Sequence, residues 1–359
     1  MKNISFVNSE EKKTKTVRLS IILSIIISLA IILIILYFTI DINTFEYFSK
    51  VNIRYEYFLV AFLLQILSWF IWGARLKVLS HEIEKNFTIS LWESTKIIIA
   101  NLFLAGITPS MAGGEPVRIY LLKEDGLSVG AATASVLGER LLDALIIIIS
   151  VPFAIYIFRN NIDIGYIQIG LTIGILIFIL IICLFILSIK YPEKTKSFLI
   201  YINNKLNRIK KFEKTNKILE RINTEVDNFH RCMIYFIKEG RKIFLLAGSL
   251  TILYWATIFM IPSMIFLGLG LKPFFILSYS AQILLIVVIM MPTTPGSSGV
   301  AEGLIAGLYS VLIGSSLIGI FILIFRFITY HFNLIIGAIF QYRIFKSVAS
   351  FSFDIINKK

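Results

Sequence analysis

Two polar breaks set the terms on which this chain can fold. Thr108-Pro109-Ser110-Met111-Ala112-Gly113-Gly114-Glu115-Pro116 and Pro292-Thr293-Thr294-Pro295-Gly296-Ser297-Ser298-Gly299-Val300-Ala301-Glu302 each interrupt an apolar run and end near a lone glutamate. The runs that lead into them, about 94–108 and 275–291, fall short of the roughly 20 apolar residues that cross a bilayer core. Proline stops the incoming helix, and glycine permits φ > 0 and close backbone approach. Broken backbone cannot face lipid, because its N–H and C=O groups would stay unpaired. It must pack in protein or line a wet cavity. Interrupted hydrophobic segments in corresponding halves of a membrane protein point to a transport site. The bland alternative is an ordinary interfacial loop between short helices.

The surrounding chain makes the membrane reading compulsory. Of its 359 residues 57% are hydrophobic, with a mean hydropathy of +0.84. The apolar stretches are long and continuous rather than alternating, which excludes a β-barrel. The first run, 19–40, is too long for a signal h-region and lacks a small-residue cleavage site, so it reads as a retained span. Cys183 and Cys232 fall in an expected span and an expected cytoplasmic loop, which argues against a disulfide and against a metal site. The net charge of +13 sits in loops. Membrane insertion explains that placement better than nucleic acid does.

Six full spans are expected, at 19–40, 57–79, 131–158, 166–189, 243–268 and 317–341. Short helices follow the breaks at 116–124 and 300–313. The tail 1–18 is basic, the 190–242 segment holds 14 Lys/Arg, and the 346–359 tail is basic again, whereas the loops at 41–56 and 159–165 are poor in Lys/Arg. Positive loops stay inside, so both termini and 190–242 are expected in the cytoplasm of a cell-membrane protein. Counting crossings then makes 94–124 enter and leave from the inside, and 270–314 from the outside. The expected fold is an all-α polytopic membrane protein: six full spans plus two oppositely oriented re-entrant hairpins, an inverted repeat of halves 19–158 and 166–345. The tips carry Pro109, Gly113 and Gly114, and Pro295, Gly296 and Gly299. Apolar residues in 190–242 recur every three or four positions, the pattern of a basic amphipathic hairpin on the inner surface.

The halves match in their charges. Glu115 precedes Arg140 by 25 residues, and Glu302 precedes Arg326 by 24. Glu139 and Asp143 lie one turn apart on one helix face, with Arg140 in reach of Asp143 at i,i+3. Arg326 and Tyr330 share a face of the last span. A charge at mid-span costs about 2.5–3.5 kcal/mol on insertion scales, so such residues pair and face the protein interior. Guanidinium binds phosphate bidentately, which makes Arg140 and Arg326 candidates for holding an anionic headgroup. The structural alternatives are an Arg140–Asp143 lock and a local pair of Glu115 with Arg118. Trp69, Trp72, Tyr254 and Trp255 read as interfacial anchors or packing residues, and His331 as a hydrogen-bonded structural histidine. His81, His230 and His331 lack metal-ligand spacing. No nucleotide-binding loop, Rossmann pattern or nucleophile elbow is present, so no enzyme activity, cofactor or internal ATPase is expected.

Asn101, Pro109, Gly113-Gly114-Glu115, Arg118, Glu139-Arg140 with Asp143, and Pro295-Gly296, Gly299 and Glu302 together resemble the flippase-like membrane domain of the lysylphosphatidylglycerol synthase family. The similarity runs from about 20 to 345. In bifunctional relatives that domain moves aminoacylated phospholipid between leaflets and a separate soluble domain makes the lipid; other relatives are associated with polyprenyl-linked sugar pathways. Here no residues remain for a soluble synthase domain, and Ser297-Ser298 replaces a more glycine-rich stretch. The resemblance implies a lipid flippase; with the residues read from the spans themselves, the candidate substrate-binding or gating residues are Glu115, Arg118, Glu139, Arg140, Asp143, Glu302, Arg326 and Tyr330. Its implied partners are lipids with an anionic or phosphate-containing headgroup and a separate lipid-modifying or glycosyl-transferring enzyme. An ion-coupled small-solute transporter and a membrane scaffold for a cell-envelope lipid or glycan synthase are the alternatives.

Overall fold

The computed structural model describes residues 42–108, 113–161, 240–289 and 299–340, with scattered positions within 30–40 and 180–234. Every element among the described residues is helical. The helices are α1 (Ile42–Lys50), α2 (Tyr55–Ile83), α3 (Leu91–Ile107), α4 (Gly114–Glu124), α5 (Val129–Asn161), α6 (Arg241–Gly268), α7 (Phe275–Ile289), α8 (Val300–Tyr309) and α9 (Ser315–Arg326). A π-helical turn, Phe327–His331, carries α9 onward to residue 340. Four of these are long and apolar enough to cross a membrane: α2, α5, α6 and the extended α9. They coincide with the expected spans at 57–79, 131–158, 243–268 and 317–341. The expected spans at 19–40 and 166–189, the hairpin at 190–242, and the tips Pro109, Pro295 and Gly296 lie outside the described residues, scattered positions apart.

From α2 onward the described elements follow one order twice: a long helix, two short ones separated by a break, and a long helix. Local chemistry sets the ends of the short helices. Ser90 caps α3 by accepting the Glu93 N–H at 3.1 Å. Helix α3 stops at Thr108, just ahead of Pro109, where a following proline disfavours the helical region. The Thr108 hydroxyl accepts the Gly113 N–H at 2.9 Å and so closes the first break. Helix α8 starts at Gly299, whose φ of 90° suits only glycine. Segment 41–56, expected as a plain loop, contains α1. Its buried Thr44 donates to the Ser316 carbonyl at 2.9 Å, and Tyr47 donates to the Leu269 carbonyl at 2.8 Å. These bonds fasten α1 across the second half of the chain.

Packing interleaves the two sets. The most extensive helix pair is α2 with α6, and α7 lies against α5. One core cluster joins Trp72, Leu76, Ile98 and Phe259; another joins Phe266, Tyr309 and Phe321. The Tyr309 hydroxyl donates to the Ser278 carbonyl at 3.2 Å and accepts the Gln282 amide at 2.6 Å, which pins α8 to α7. Outward faces are apolar too: Leu59, Leu63 and Leu67 form an exposed i,i+4 stripe on α2, and Leu245, Leu246, Ile252 and Leu253 are exposed on α6. Aliphatic surface of that extent needs a lipid solvent.

Helices α2 and α3 approach so closely at Gly73 that a Cβ there would lie 2.6 Å from Thr95 Oγ1 and 2.9 Å from the Thr95 backbone nitrogen. A Cβ on Gly303 would meet nothing within 4 Å. Gly73→Val is therefore expected to cost about 1–3 kcal/mol through overpacking. Gly303→Ala is expected to hold or raise stability by up to about 1 kcal/mol through helix propensity. Thermal unfolding of the two variants in detergent checks this, and equal midpoints would refute the close approach.

Candidate functional site

Five helices bring charged and aromatic groups to one buried place. Helix α2 supplies Arg75, α3 supplies Asn101, α4 supplies Arg118, α5 supplies Glu139 and Asp143, and α6 supplies Thr251, Tyr254 and Trp255. Arg75, Arg118 and Glu139 have no exposed surface, and Asp143 is 2% exposed. The Arg75 guanidinium is the hub. Its Nε donates to Glu139 Oε1 at 3.2 Å, its Nη1 to Asp143 Oδ1 at 2.7 Å and to Thr251 Oγ1 at 3.2 Å, and its Nη2 to Asp143 Oδ2 at 3.4 Å. Trp255 Nε1 donates to Asp143 Oδ1 at 3.1 Å, and Arg118 Nη1 donates to Glu139 Oε2. The Arg75 guanidinium also lies 5.5 Å from the Tyr254 ring centroid and 5.6 Å from that of Trp72. Cationic groups over aromatic faces gain electrostatic stabilisation, the more so when desolvated.

Arg75 was absent from the sequence-derived site. The signal was available, since an arginine inside an expected span is a site candidate by default. The sequence-derived candidates are the arginines that follow the breaks, Arg118, Arg140 and Arg326, and Arg75 precedes both breaks. The structure also rearranges the expected pairs. Glu115 does not pair with its neighbour Arg118. It accepts from Arg140 Nε at 2.7 Å, while Arg118 turns inward to Glu139. Arg140 does lie near Asp143, but at 3.7 Å, and the shorter contacts of Asp143 go to Arg75 and Trp255. Of the two readings given to Trp69, Trp72, Tyr254 and Trp255, interfacial anchors or packing residues, their burial fits packing, with the indoles of Trp255 and Trp69 donating inside the protein.

The second break has its own ion pair. Arg326 Nε, 7% exposed as a residue, donates to the fully buried Glu302 Oε1 at 2.9 Å. The other oxygen of Glu302 accepts the Gly299 N–H at 2.6 Å, so one carboxylate holds both the next helix and the start of its own. The Arg326 guanidinium lies 4.0 Å from the Tyr330 ring centroid. Tyr330 in turn donates to the carbonyl of Gly106, in the last turn of α3, at 3.1 Å. A line of contacts thus runs Gly299–Glu302–Arg326–Tyr330–Gly106, from the second break to the end of the helix that enters the first. Between Arg326 and Tyr330 the helix shifts to π geometry, and His331 Nδ1 lies 3.2 Å from the Arg326 carbonyl. Such bulges are frequent at functional sites.

The equivalent pairs Glu115–Arg140 and Glu302–Arg326 both form between the short helix after a break and the following long helix, and both use Nε and Oε1. They differ in exposure. Arg140 and Glu115 side chains are 37% and 49% exposed, Arg326 and Glu302 8% and 0%. Around the first break the charges of Arg75, Arg118 and Arg140 cancel those of Glu115, Glu139 and Asp143. Several buried atoms there find no hydrogen-bond partner among the described residues: Arg118 Nε and Nη2, Trp72 Nε1 and Asn101 Oδ1.

A family model for the lysylphosphatidylglycerol synthase TM region matches residues 25–337. The chain is 35% identical over 291 residues to a UPF0104 membrane protein of Archaeoglobus fulgidus, covering 80% of this chain and 87% of the relative. It is 25% identical over 269 residues to a UPF0104 membrane protein of Pyrococcus horikoshii, covering 72% and 78%. No solved structure matches.

Breaking a buried ion pair by removing one partner costs about 3–5 kcal/mol, because the other charge is stranded. Arg75→Met should therefore destabilise the protein by that order. Glu115→Gln, at a pair open to solvent, should cost no more than about 1 kcal/mol. Denaturant titration of both variants in detergent decides the point; a mild Arg75→Met would show that Asp143 and Glu139 are held by other groups.

Proposed function

The chain belongs to the family of the lysylphosphatidylglycerol synthase transmembrane region, and from that premise we propose that it moves a lipid or lipid-linked headgroup between membrane leaflets, without an ATPase of its own. In this reading α2–α5 and α6–α9 are the cores of two inverted halves in a cell membrane, with both termini and the 190–242 hairpin in the cytoplasm. The two breaks are the tips of re-entrant hairpins that enter from opposite sides, and alternating access rocks one half against the other.

The observation that carries the proposal is the matched pair of ion pairs. Each ties the short helix after a break to the next long helix through one carboxylate and one guanidinium. Such a pair is a latch with a built-in competitor. A headgroup phosphate offers the arginine the same oxygen geometry that the glutamate does, and a bidentate contact besides. Phosphate entry at Arg140 or Arg326 would free Glu115 or Glu302 and loosen the short helix. Apolar chains of the lipid stay outside, along the aliphatic faces of α2 and α6. The line from Glu302 through Arg326 and Tyr330 to Gly106 then makes loosening at one break felt at the other. The lipid's gradient, an ion gradient or the membrane potential supplies the driving force.

Arg140→Ala and Arg326→Ala are each expected to slow translocation of fluorescently labelled phospholipid in reconstituted vesicles at least about tenfold, as loss of a charge-assisted contact worth about 1.5–3 kcal/mol implies. The exchange Glu115→Arg with Arg140→Glu restores the latch and should recover part of the rate. Unchanged translocation in both single variants would sink the role of the latches.

A further inference from the structure

The charge balance and the unpaired atoms around α4 point to a ligand more specific than an anion. Arg118 has no exposed surface, yet among the described residues only its Nη1 has a hydrogen-bond partner, Glu139. Its Nε and Nη2 have none. The guanidinium lies 5.5 Å from the Trp72 ring centroid, and Trp72 Nε1, in a residue 6% exposed, is also without a partner. One turn before Arg118, on the same face of α4, Gly114 packs against Asn101: a Cβ at Gly114 would lie 2.5 Å from Asn101 Oδ1. That oxygen, in a residue 2% exposed, is the unpaired acceptor of the group. Buried donors and acceptors are almost always satisfied, so a cluster of unsatisfied ones needs an occupant. Three donors beside one acceptor describe what the occupant must offer: oxygens to accept from Arg118 and Trp72, and a hydrogen to give to Asn101.

The surrounding charge narrows the class. Arg75, Arg118 and Arg140 are matched one for one by Glu115, Glu139 and Asp143, all within the same set of contacts. A neutral, water-poor site takes up a net charge at high cost. We infer that Arg118, Trp72 and Asn101 form a subsite for a zwitterionic phosphodiester: the phosphate against Arg118 and Trp72, and an ammonium or protonated amine against Asn101 Oδ1. This deepens the transport reading and rests on it for how the ligand reaches the site. It adds to the Arg140 latch a second phosphate contact at Arg118, and among phosphate-containing headgroups it selects one that is neutral overall.

The test measures binding apart from transport. The full chain in detergent is offered equal amounts of phosphatidylethanolamine and phosphatidylglycerol with matched acyl chains, and retained lipid is counted by native mass spectrometry. In separate arms, glycerophosphoethanolamine and inorganic phosphate are titrated while the thermal midpoint is followed. The wild type should retain phosphatidylethanolamine at least about tenfold over phosphatidylglycerol, the ratio one satisfied buried contact provides. Glycerophosphoethanolamine should raise the midpoint and inorganic phosphate should not. Arg118→Gln can fail by misfolding, so the phosphate contact is tested with Trp72→Phe, which keeps an aromatic ring and removes the N–H, and the preference with Asn101→Leu. Trp72→Phe should fold and weaken retention of both lipids alike, since both carry the phosphate, whereas Asn101→Leu should lose most of the preference. Equal retention of the two lipids, a preference for phosphatidylglycerol, an unchanged preference in Asn101→Leu, or undiminished lipid retention in Trp72→Phe overturns the subsite. So does a response to inorganic phosphate as strong as that to the headgroup. If the wild type binds selectively but moves no lipid in vesicles, the transport reading falls and the subsite stands. If Arg326→Ala abolishes transport while Asn101→Leu leaves the preference intact, the reverse holds.

Discussion

The fold turns on one electrostatic fact: an arginine can be buried in a membrane protein only if its charge and its donors are met from inside. Arg75 meets that condition through Glu139, Asp143, Thr251 and the faces of Trp72 and Tyr254. Those partners come from α2, α5 and α6, so the guanidinium fixes the mutual register of three long helices. Lipid offers no hydrophobic driving force between helices, since acyl chains are as apolar as leucine. A charge cluster supplies orientation that apolar packing alone would leave loose. The glycines do the complementary work, letting α2 and α3 touch at Gly73 and α9 touch Phe103 at Gly337.

Around this anchor the short helices after the breaks are held by two ion pairs of unequal burial. The Glu115–Arg140 pair is partly solvated and so energetically slight. The Glu302–Arg326 pair is dry, and its carboxylate also holds the Gly299 N–H that begins α8. The two halves therefore carry the same ion pair at different depths. The Tyr330–Gly106 bond joins the second pair to the helix that enters the first break. It leaves the helix where the backbone takes π geometry, which displaces side chains from the usual i,i+4 rows.

Much of this was legible in the chain. Span positions followed from apolar run length, and four of the six agree with long helices; the other two fall outside the described residues. The short helices flanking each break were placed to within a few residues, because proline and glycine mark helix ends locally. The spacings Glu115–Arg140 and Glu302–Arg326 were recognised as equivalent before any geometry, and both turn out to be ion pairs. The closest partners of Arg118 and Asp143 are not legible in the sequence. Helical spacing at i,i+3 offers Glu115 to the first and Arg140 to the second; the second contact forms at 3.7 Å, but the shorter ones come from other helices. Helix α4 turns Arg118 away from Glu115 and onto α5. Arg75 was passed over because it sits in an otherwise unremarkable span, with its partners 64 and 68 residues away.

What the sequence by itself determined was the solvent, the element types and the places where helices must stop, because hydropathy, proline and glycine act over a few residues. It also determined which charges would need an answer, since none can stay unpaired in hydrocarbon. Only the tertiary structure decided which charge answers which. That choice depends on how α2, α4, α5 and α6 are rotated about their axes, and rotation is settled by packing across distances no local pattern encodes. The same packing decided that Arg118, Trp72 and Asn101 would be left with hydrogen-bonding capacity unspent beside the first break.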